Sequence, residues 1–454
     1  MIVRIKLVIG VLLFTMFALS CKQNKTPNVI LVITDDQRAD ALGIAGNTIL
    51  RTPNLDKLAN DGVYFKNAFV TTPICAASRA SIMTSSYERN HSYTFGKKLL
   101  SKNKIDDTYF TLVKQNDIHT GFIGKFGVKF AKNLDRTLFD YYEQHAPNNY
   151  FVKDKNSDSK IHLTEKVGRS TREFLTNRPK NKPFCLTISY NAPHADDHSK
   201  DQYFWPEAFD TFYQNSVIPL PQTASKHYYN QQPEFVKEGF NRKRWKWRFN
   251  SPEKYQKMVK GYYRMISGVD RSVGELRELL EEINLDQNTI IIFTSDNGYF
   301  LNERQLAGKW LLYEESIRVP LIIYDPRSNK RSKTDDMVLN IDVAPTILDL
   351  LNIEIPNSYQ GSSLMGYLEQ NSFQNDREHF LCEHLWNNKK IPSSEGVRTK
   401  KYKYFRYKDY PEHEELYDLE LDGFETNNLA LDSTYYTVLQ DLRKLCNAEI
   451  EKVK

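Results

Sequence analysis

Two acidic pairs stand where apolar runs end. Asp35-Asp36 follows NVILVIT (28–34), and Asp296-Asn297-Gly298 follows TIIIFTS (289–295). If both runs are strands of one sheet, their tips bring three carboxylates and a carboxamide to one edge. Three unpaired carboxylates repel one another, and some take up protons. A hard dication relieves this, and Ca²⁺ favours about six to eight oxygen ligands of this kind. No His/Cys cluster competes for the ion, which disfavours zinc. Either acidic pair alone reads as ordinary turn residues; together they read as a metal site with Asp35, Asp36, Asp296 and Asn297 as ligands. A third group lies at 71–85, TTPICAASRASIMTS. Pro73 precedes a stretch able to form a helix, with Cys75 in its first turn and Arg79 one turn further on the same face. The free N–H groups and dipole of a helix start favour anions, so this placement suits a nucleophile beside an anionic group. The alternative is that Cys75 is a small core residue.

The elements that must position these groups are legible as patterns. Near-continuous β-branched or apolar runs at 28–34, 118–124, 184–190, 289–295 and 320–324 suit strands buried on both faces, as in a parallel sheet. Helical periodicity falls between them, most clearly at 164–175 and 253–283. Alternation of the two predicts an α/β doubly wound core, whose ligand sites lie at the carboxyl ends of the strands. A helix at 342–351 (DVAPTILDLL) closes that core, and a turn-rich break follows. The remainder has strand-like 377–383 and 401–407 and an amphipathic helix near 434–450, read as a smaller α+β subdomain. The expected organisation is therefore 1–20 leader, 21–27 tether, 28–351 catalytic domain and 352–454 C-terminal subdomain. The composition, 26% charged and 40% hydrophobic, is that of a globular chain, and a net charge of +5 excludes a nucleic-acid binder driven by bulk positive charge. Five cysteines without a C-x-x-C pair exclude a disulfide scaffold or zinc ribbon.

Cys75-Ala76-Ala77-Ser78-Arg79 with Thr84 resembles the signature of the type I sulfatases, members of the alkaline phosphatase superfamily. The usual form has Pro where this chain has Ala77 and ends Thr-Gly where this chain has Thr84-Ser85. Further segments are similar in the same order: Asp35-Asp36, Gly124-Lys125, Pro193-His194, Asp296-Asn297, then Lys309 with Tyr313-Glu314 and Arg318-Val319-Pro320, and Glu415-Leu416-Tyr417-Asp418-Leu419 with Asn428-Leu429. The resemblance spans roughly 28–430 and implies an alkaline-phosphatase-like, mixed but mostly parallel sheet. It also implies that Cys75 is oxidised to formylglycine (3-oxoalanine) by a formylglycine-generating or anaerobic sulfatase-maturing enzyme, and that the hydrate attacks sulfur beside Ca²⁺. Arg79 then supports the nucleophile, Lys125 and Lys309 bind the sulfuryl oxygens, His194 protonates the leaving alcohol, and Asp296 accepts the nucleophile's proton. One departure is pointed: the family's Gly-Lys-Trp-His is Gly124-Lys125-Phe126-Gly127 here, so the His beside the formylglycine is absent. His119 and His145 are candidate stand-ins.

The start, MIVRIKLVIGVLLFTMFALS, has a basic head and an apolar run too short for a comfortable membrane span. It reads as a signal peptide ending at Cys21, a candidate lipidation site, which predicts export to the periplasm or cell surface with a lipid anchor as the sole membrane contact. The run NRKRWKWRFN (241–250) interleaves cations with aromatics and suits a polyanionic sugar, with Trp245 and Trp247 as stacking residues; the alternative is a solvated amphipathic insertion. His384, Trp386 and Arg398 are further candidates to line the cleft. The expected substrate is a sulfated polysaccharide or its oligosaccharides, algal (ulvan, carrageenan) or glycosaminoglycan. A phosphonate or phosphate ester hydrolase, and a non-catalytic glycan-binding lipoprotein favoured by Gly127, are the competing readings.

Overall fold

The computed structural model describes residues 25–95, 99–131, 134–145, 150–154, 159–369 and 375–454. The leader, Cys21 and most of the tether lie outside these residues. Eight strands build the central sheet: β1 (Asn28–Thr34), β2 (Val63–Phe69), β3 (His119–Gly124), β4 (Tyr141–Gln144), β5 (Phe184–Ser189), β6 (Thr289–Ser295), β7 (Arg318–Tyr324) and β8 (Ser332–Leu339). Their order across the sheet is β8-β2-β7-β6-β1-β5-β3-β4. β1 pairs in parallel with both β5 and β6. β7 runs antiparallel to β6 and β2, so it alone opposes the common direction. Its apolar run therefore reports burial on both faces, not a parallel pairing.

The alternation that makes β1 a strand also divides the core. Val29, Leu31 and Ile33 pack on one face of the sheet, Ile30 and Val32 on the other. Every residue of β1 and of β6 is buried, as central strands under two helical layers require. Among the described residues the α-helices of eight residues or more are α1 (Pro53–Asp61), α2 (Cys75–Thr84), α3 (Leu163–Asn177), α4 (Phe240–Arg248), α5 (Pro252–Glu282), α6 (Val343–Leu350) and α7 (Tyr436–Lys452). A second, antiparallel sheet of β9 (His379–His384), β10 (Ser394–Thr399), β11 (Tyr402–Tyr407) and β12 (Tyr410–Asp418) follows in meander order. Phe380, Val397, Phe405 and Leu416 of that sheet, and Leu439 and Leu442 of α7, share one apolar cluster with the main sheet. The C-terminal unit thus shares its core with the larger part of the chain.

The patterns at 377–383 and 401–407 correspond to β9 and β11. β2, β8, β10 and β12 carry too many polar residues for the apolar-run criterion; β8, for example, reads SKTDDMVL with its first half at the sheet's edge.

Candidate active site

β1 and β6 are adjacent, and their register pairs Thr34 with Ser295. The residues that follow each strand therefore emerge side by side. Asp35, Asp36, Asp296 and Asn297 are all at most 1% exposed. α2 begins at Cys75, after Ile74 in extended conformation, and all ten of its residues are buried. A carboxylate oxygen of Asp35, one of Asp296 and Cys75 Sγ lie within 4.8 Å of one another, as do ligand atoms of Asp35, Asp36 and His194.

Cations close the site. Lys125, just past β3, bonds Asp35, and Lys309 bonds Asp36. Arg79 Nε donates to Asp296 Oδ2 (2.8 Å), and its Nη1 donates to the Lys125 carbonyl (2.7 Å) and to Ser189 Oγ (2.5 Å). Asp296 Oδ1 accepts from the Asp36 N–H (3.2 Å). Burial opposes ionisation of Asp35, yet Lys125, His194, Lys309 and Arg79 together hold it well below the usual carboxylate range. Burial, with the charge of Asp35, pushes Asp296 up to about 6. The oxygens left over are informative: Asp35 Oδ1, Asp36 Oδ2 and Asn297 Oδ1 are buried without a hydrogen-bond partner. Buried acceptors are rarely left unpaired, and this hard-oxygen set fits a divalent cation such as Ca²⁺.

His194 Nε2 lies 3.7 Å from Asp36 Oδ2. Burial lowers its pKa to about 4 although Asp35 and Asp36 pull the other way. Desolvation outweighs the pull of its acidic neighbours, which favours the neutral imidazole.

The glycines of the Gly124–Gly127 loop and the departure at Ser85 have local reasons. Gly124, at φ +109, brings β3 against β5 so closely that a Cβ would fall 1.9 Å from the Ser189 carbonyl oxygen. Gly127 sits at φ +75, and a Cβ there would meet Arg79 Cδ at 2.6 Å. The stem of Arg79 thus fills the space a side chain at 127 would need. Ser85 takes the left-handed conformation (φ +49) that ends α2, and its Oγ donates to the Ile341 carbonyl (2.7 Å) and accepts from Gly361 N–H (3.0 Å), an anchor that glycine would lack.

Several expected residues lie elsewhere. His119 opens β3 at the far end from Gly124, faces Asp140 (3.5 Å) and stacks on Phe174, so it is no stand-in for the missing His. His145 follows β4, its N–H bonding the Gly124 carbonyl (2.9 Å) and its ring facing Glu143 (3.4 Å). Arg398 stacks on Phe69 (4.7 Å) and faces Glu314, four residues along β10 from the partner of His384, so it does not line the cleft. His384 is 0% exposed, burial pushes its ring down to about 3, and both ring nitrogens are buried without a hydrogen-bond partner.

The basic-aromatic run is α4, and its two faces differ. Arg244 and Arg248 are buried and both pair with Asp197, three residues past His194. Asn241 Nδ2 bonds the carbonyls of Ala307 (3.2 Å) and Lys309 (2.9 Å). Arg244 stacks on Trp310 (4.5 Å). One face of α4 therefore ties the Lys309 loop to the His194 loop, which corrects the reading of the whole run as a glycan patch. Trp245 also serves the interior, donating to Asn302 Oδ1 (2.5 Å) under Arg242. Asp197, Asn241 and Ser189 carry no sequence signal beyond the i, i+3, i+7 spacing of 241, 244 and 248.

An α/β sheet whose strand tips gather acids beside a helix-start cysteine, ringed by fixed cations, defines an ester hydrolase of the alkaline-phosphatase type. Residues 27–353 match the profile described as Sulfatase, and 302–452 match that of N-sulphoglucosamine sulphohydrolase, C-terminal. The chain belongs to the sulfatase family and is a sulfuric ester hydrolase. An arylsulfatase of Clostridium perfringens is 30% identical, over 94% of this chain and 94% of that protein. An N-acetylglucosamine-6-O-sulfatase of Bacteroides thetaiotaomicron is 27% identical, over 93% of this chain and 86% of that protein. A solved structure in complex with its substrate D-glucosamine-2-N,6-O-disulfate shares the fold, with a TM-score of 0.79 at 24% identity, covering 94% of this chain and 98% of that one.

Proposed function

We propose that the protein is an exported sulfatase acting on sulfated oligosaccharides, with a formylglycine made from Cys75 by a maturing enzyme and a Ca²⁺ held by Asp35, Asp36, Asp296, Asn297 and residue 75. The observation that carries this reading is the convergence of Cys75 Sγ with the Asp35 and Asp296 carboxylates within 4.8 Å. The glucosamine sulfatase relative and the glucosamine disulfate bound to the solved neighbour support a sugar substrate. Export rests on the leader at 1–20, with Cys21 as lipid anchor and 21–27 as tether. Among the described residues no helix is long and apolar enough to cross a membrane. The unit 28–351 carries the chemistry, and 352–454 shapes its rim.

The cation would supply a hard Lewis acid beside the reacting sulfur, and the aldehyde hydrate would supply a hydroxyl nucleophile there. The chain's own residues do the rest. Burial opposes the charge of Lys309, yet Asp36 and the other acids around it hold it charged, well above the usual range; it and Lys125 offset the negative charge of a sulfuryl group. Arg79, fastened by Asp296, Ser189 and the Lys125 carbonyl, fixes the geometry around residue 75. His194, beside Asp36, would give a proton to the departing alkoxide oxygen. Water at the site, rather than an imidazole at 127, is left to carry the remaining proton.

The test is to mature the protein in a host with the converting enzyme and measure the Cys75 peptide by mass spectrometry together with sulfate release. An aldehyde at 75 and release of sulfate from 4-nitrophenyl sulfate are expected, with slower turnover of 4-nitrophenyl phosphate and of a phosphonate monoester. A free thiol in an active enzyme would overturn the assignment of the nucleophile. Preference for phosphonate would move the protein to the competing hydrolase class, and a matured, metal-loaded protein without turnover would favour the glycan-binding reading.

A further inference from the structure

The second face of α4 is not used by the tie between loops, and it meets aromatic side chains from two other segments. Ile74 and Ala77, which flank Cys75, form a small apolar cluster with Trp310 and Ile391, and Phe240 and Trp386 pack on it while staying partly exposed. Trp310 adjoins Lys309, and its N–H donates to the Pro73 carbonyl (3.1 Å). Phe240 lies 5.8 Å from Trp310 and 5.8 Å from Trp247, and Trp386 lies 5.2 Å from Phe95, which is 44% exposed. The backbone joins the two sides, because Phe240 N–H bonds the Lys390 carbonyl (2.8 Å) in the loop after β9. A row of rings therefore runs over the start of the helix that carries the nucleophile. Clustered, partly exposed aromatics beside a catalytic centre mark a ligand surface rather than core packing.

Charge settles what the row fits. Lys243 Nζ sits 5.3 Å from the Trp247 ring centroid and 5.8 Å from that of Phe240. Lys246, Lys389 and Lys390 are exposed on the same two segments. Flat apolar rings suit the C–H face of a pyranose, and ammonium groups around them suit the anionic substituents of a sulfated chain.

We propose that Phe95, Trp386, Phe240 and Trp247, with Lys243, form a subsite for the sugar residue joined to the one whose sulfate is cleaved. The subsite rests on the sulfatase reading above and makes the enzyme selective for oligosaccharides over monosaccharides and aryl sulfates.

The matured, calcium-loaded enzyme and its Trp386→Ala, Trp386→Phe and Lys243→Gln variants are compared on a glucosamine-6-sulfate-containing tetrasaccharide and on 4-nitrophenyl sulfate. Trp386→Ala should lower the selectivity ratio, kcat/KM for the tetrasaccharide over that for the aryl sulfate, about tenfold, a factor matching about 1.4 kcal/mol of lost stacking. The loss should lie in KM. Trp386→Phe should recover most of it, and Lys243→Gln should lower the ratio by a smaller factor that vanishes at high salt. Tyr436→Ala, exposed at the start of α7, serves as a control that leaves the ratio unchanged. An equal loss on both substrates, or an unchanged ratio in Trp386→Ala, overturns the subsite. Tetrasaccharide binding to the inactive Cys75→Ala protein, read by titration calorimetry, keeps the two readings apart. If no ester is turned over but binding heat is present and is lost on adding Trp386→Ala, the function fails and the subsite stands. If no binding heat is seen, the subsite fails with it.

Discussion

Restoring the family's histidine at position 127 should damage this enzyme. Gly127 adopts φ +75, and its missing Cβ would lie 2.6 Å from Arg79 Cδ and 3.3 Å from Arg79 Nε. A left-handed conformation costs a non-glycine residue about 1–2 kcal/mol. The contact adds the cost of overpacking, about 1–3 kcal/mol, because the Arg79 side chain is 1% exposed and its guanidinium is held by Asp296, Ser189 and the Lys125 carbonyl. Together these give about 2–5 kcal/mol for Gly127→Ala, and Gly127→His adds a ring to the same space. The chain can avoid the contact only by swinging Arg79 away from Asp296, and breaking a buried ion pair costs about 3–5 kcal/mol. Either route is expensive, and the second also moves Arg79 off the nucleophile. The assay pairs thermal unfolding at fixed scan rate with kcat on 4-nitrophenyl sulfate. A Tm lower by about 2–6 °C and at least a tenfold loss in kcat are expected for Gly127→His. Gly127→Asn tolerates positive φ better and should isolate the contact cost. A Gly127→His enzyme with unchanged Tm and equal or higher kcat would refute the claim that Arg79 occupies the missing side chain's place.

Chelation with EGTA should lower both turnover and Tm, with Ca²⁺ restoring both, because three buried acceptors at the strand tips lose their partner. An unchanged Tm under EGTA would count against the cation. Asp197→Asn removes the charge shared by Arg244 and Arg248, the latter 0% exposed; a loss of about 3 kcal/mol in urea unfolding should accompany a fall in kcat, since the tie between the His194 and Lys309 loops is weakened. Normal turnover in a fully folded Asp197→Asn protein would show that this tie does not set the site. A pH effect comes from Asp270, where burial, partly offset by hydrogen bonds from Leu55 N–H and Asn54, pushes the pKa from 3.8 to about 6. Between those values the folded chain holds a proton that the unfolded chain has released, so this group's contribution to stability falls as pH rises from about 4 to about 6, by at most about 1.4 kcal/mol per pH unit. Asp270→Asn should flatten that part of the stability profile, and an unaltered slope would contradict it.

Much of the fold was legible because burial on both faces leaves a local trace. NVILVIT and TIIIFTS hold five and four consecutive apolar residues, and a chain does that only where no face meets water. The β2 and β8 strands left no such trace, because an edge strand and its neighbour tolerate polar residues. The direction of β7 was not legible either, since antiparallel and parallel strands in the sheet interior demand the same side chains. In the site, Cys75 and Arg79 share a helix turn, so their proximity was a local fact. His119 lies at the opposite end of β3 from Gly124, because position along a strand, not residue type, decides which end of the sheet a side chain reaches.

What the sequence by itself determined was the set of strand tips and the helix start: which acids, which cysteine and which cations are delivered to the carboxyl edge of the sheet. Hydrophobic runs and helical spacing are properties of a few consecutive residues, and they suffice for that. What only the tertiary structure decided was how the charges are shared out. In NRKRWKWRFN the cations look alike, yet Arg244 and Arg248 are buried on Asp197 while Lys243 and Lys246 remain at the surface. The desolvation of His194 and the exclusion of a side chain at Gly127 are of the same kind. Desolvation and excluded volume depend on which distant segment packs against a residue, and no pattern within that residue's own stretch of chain records it.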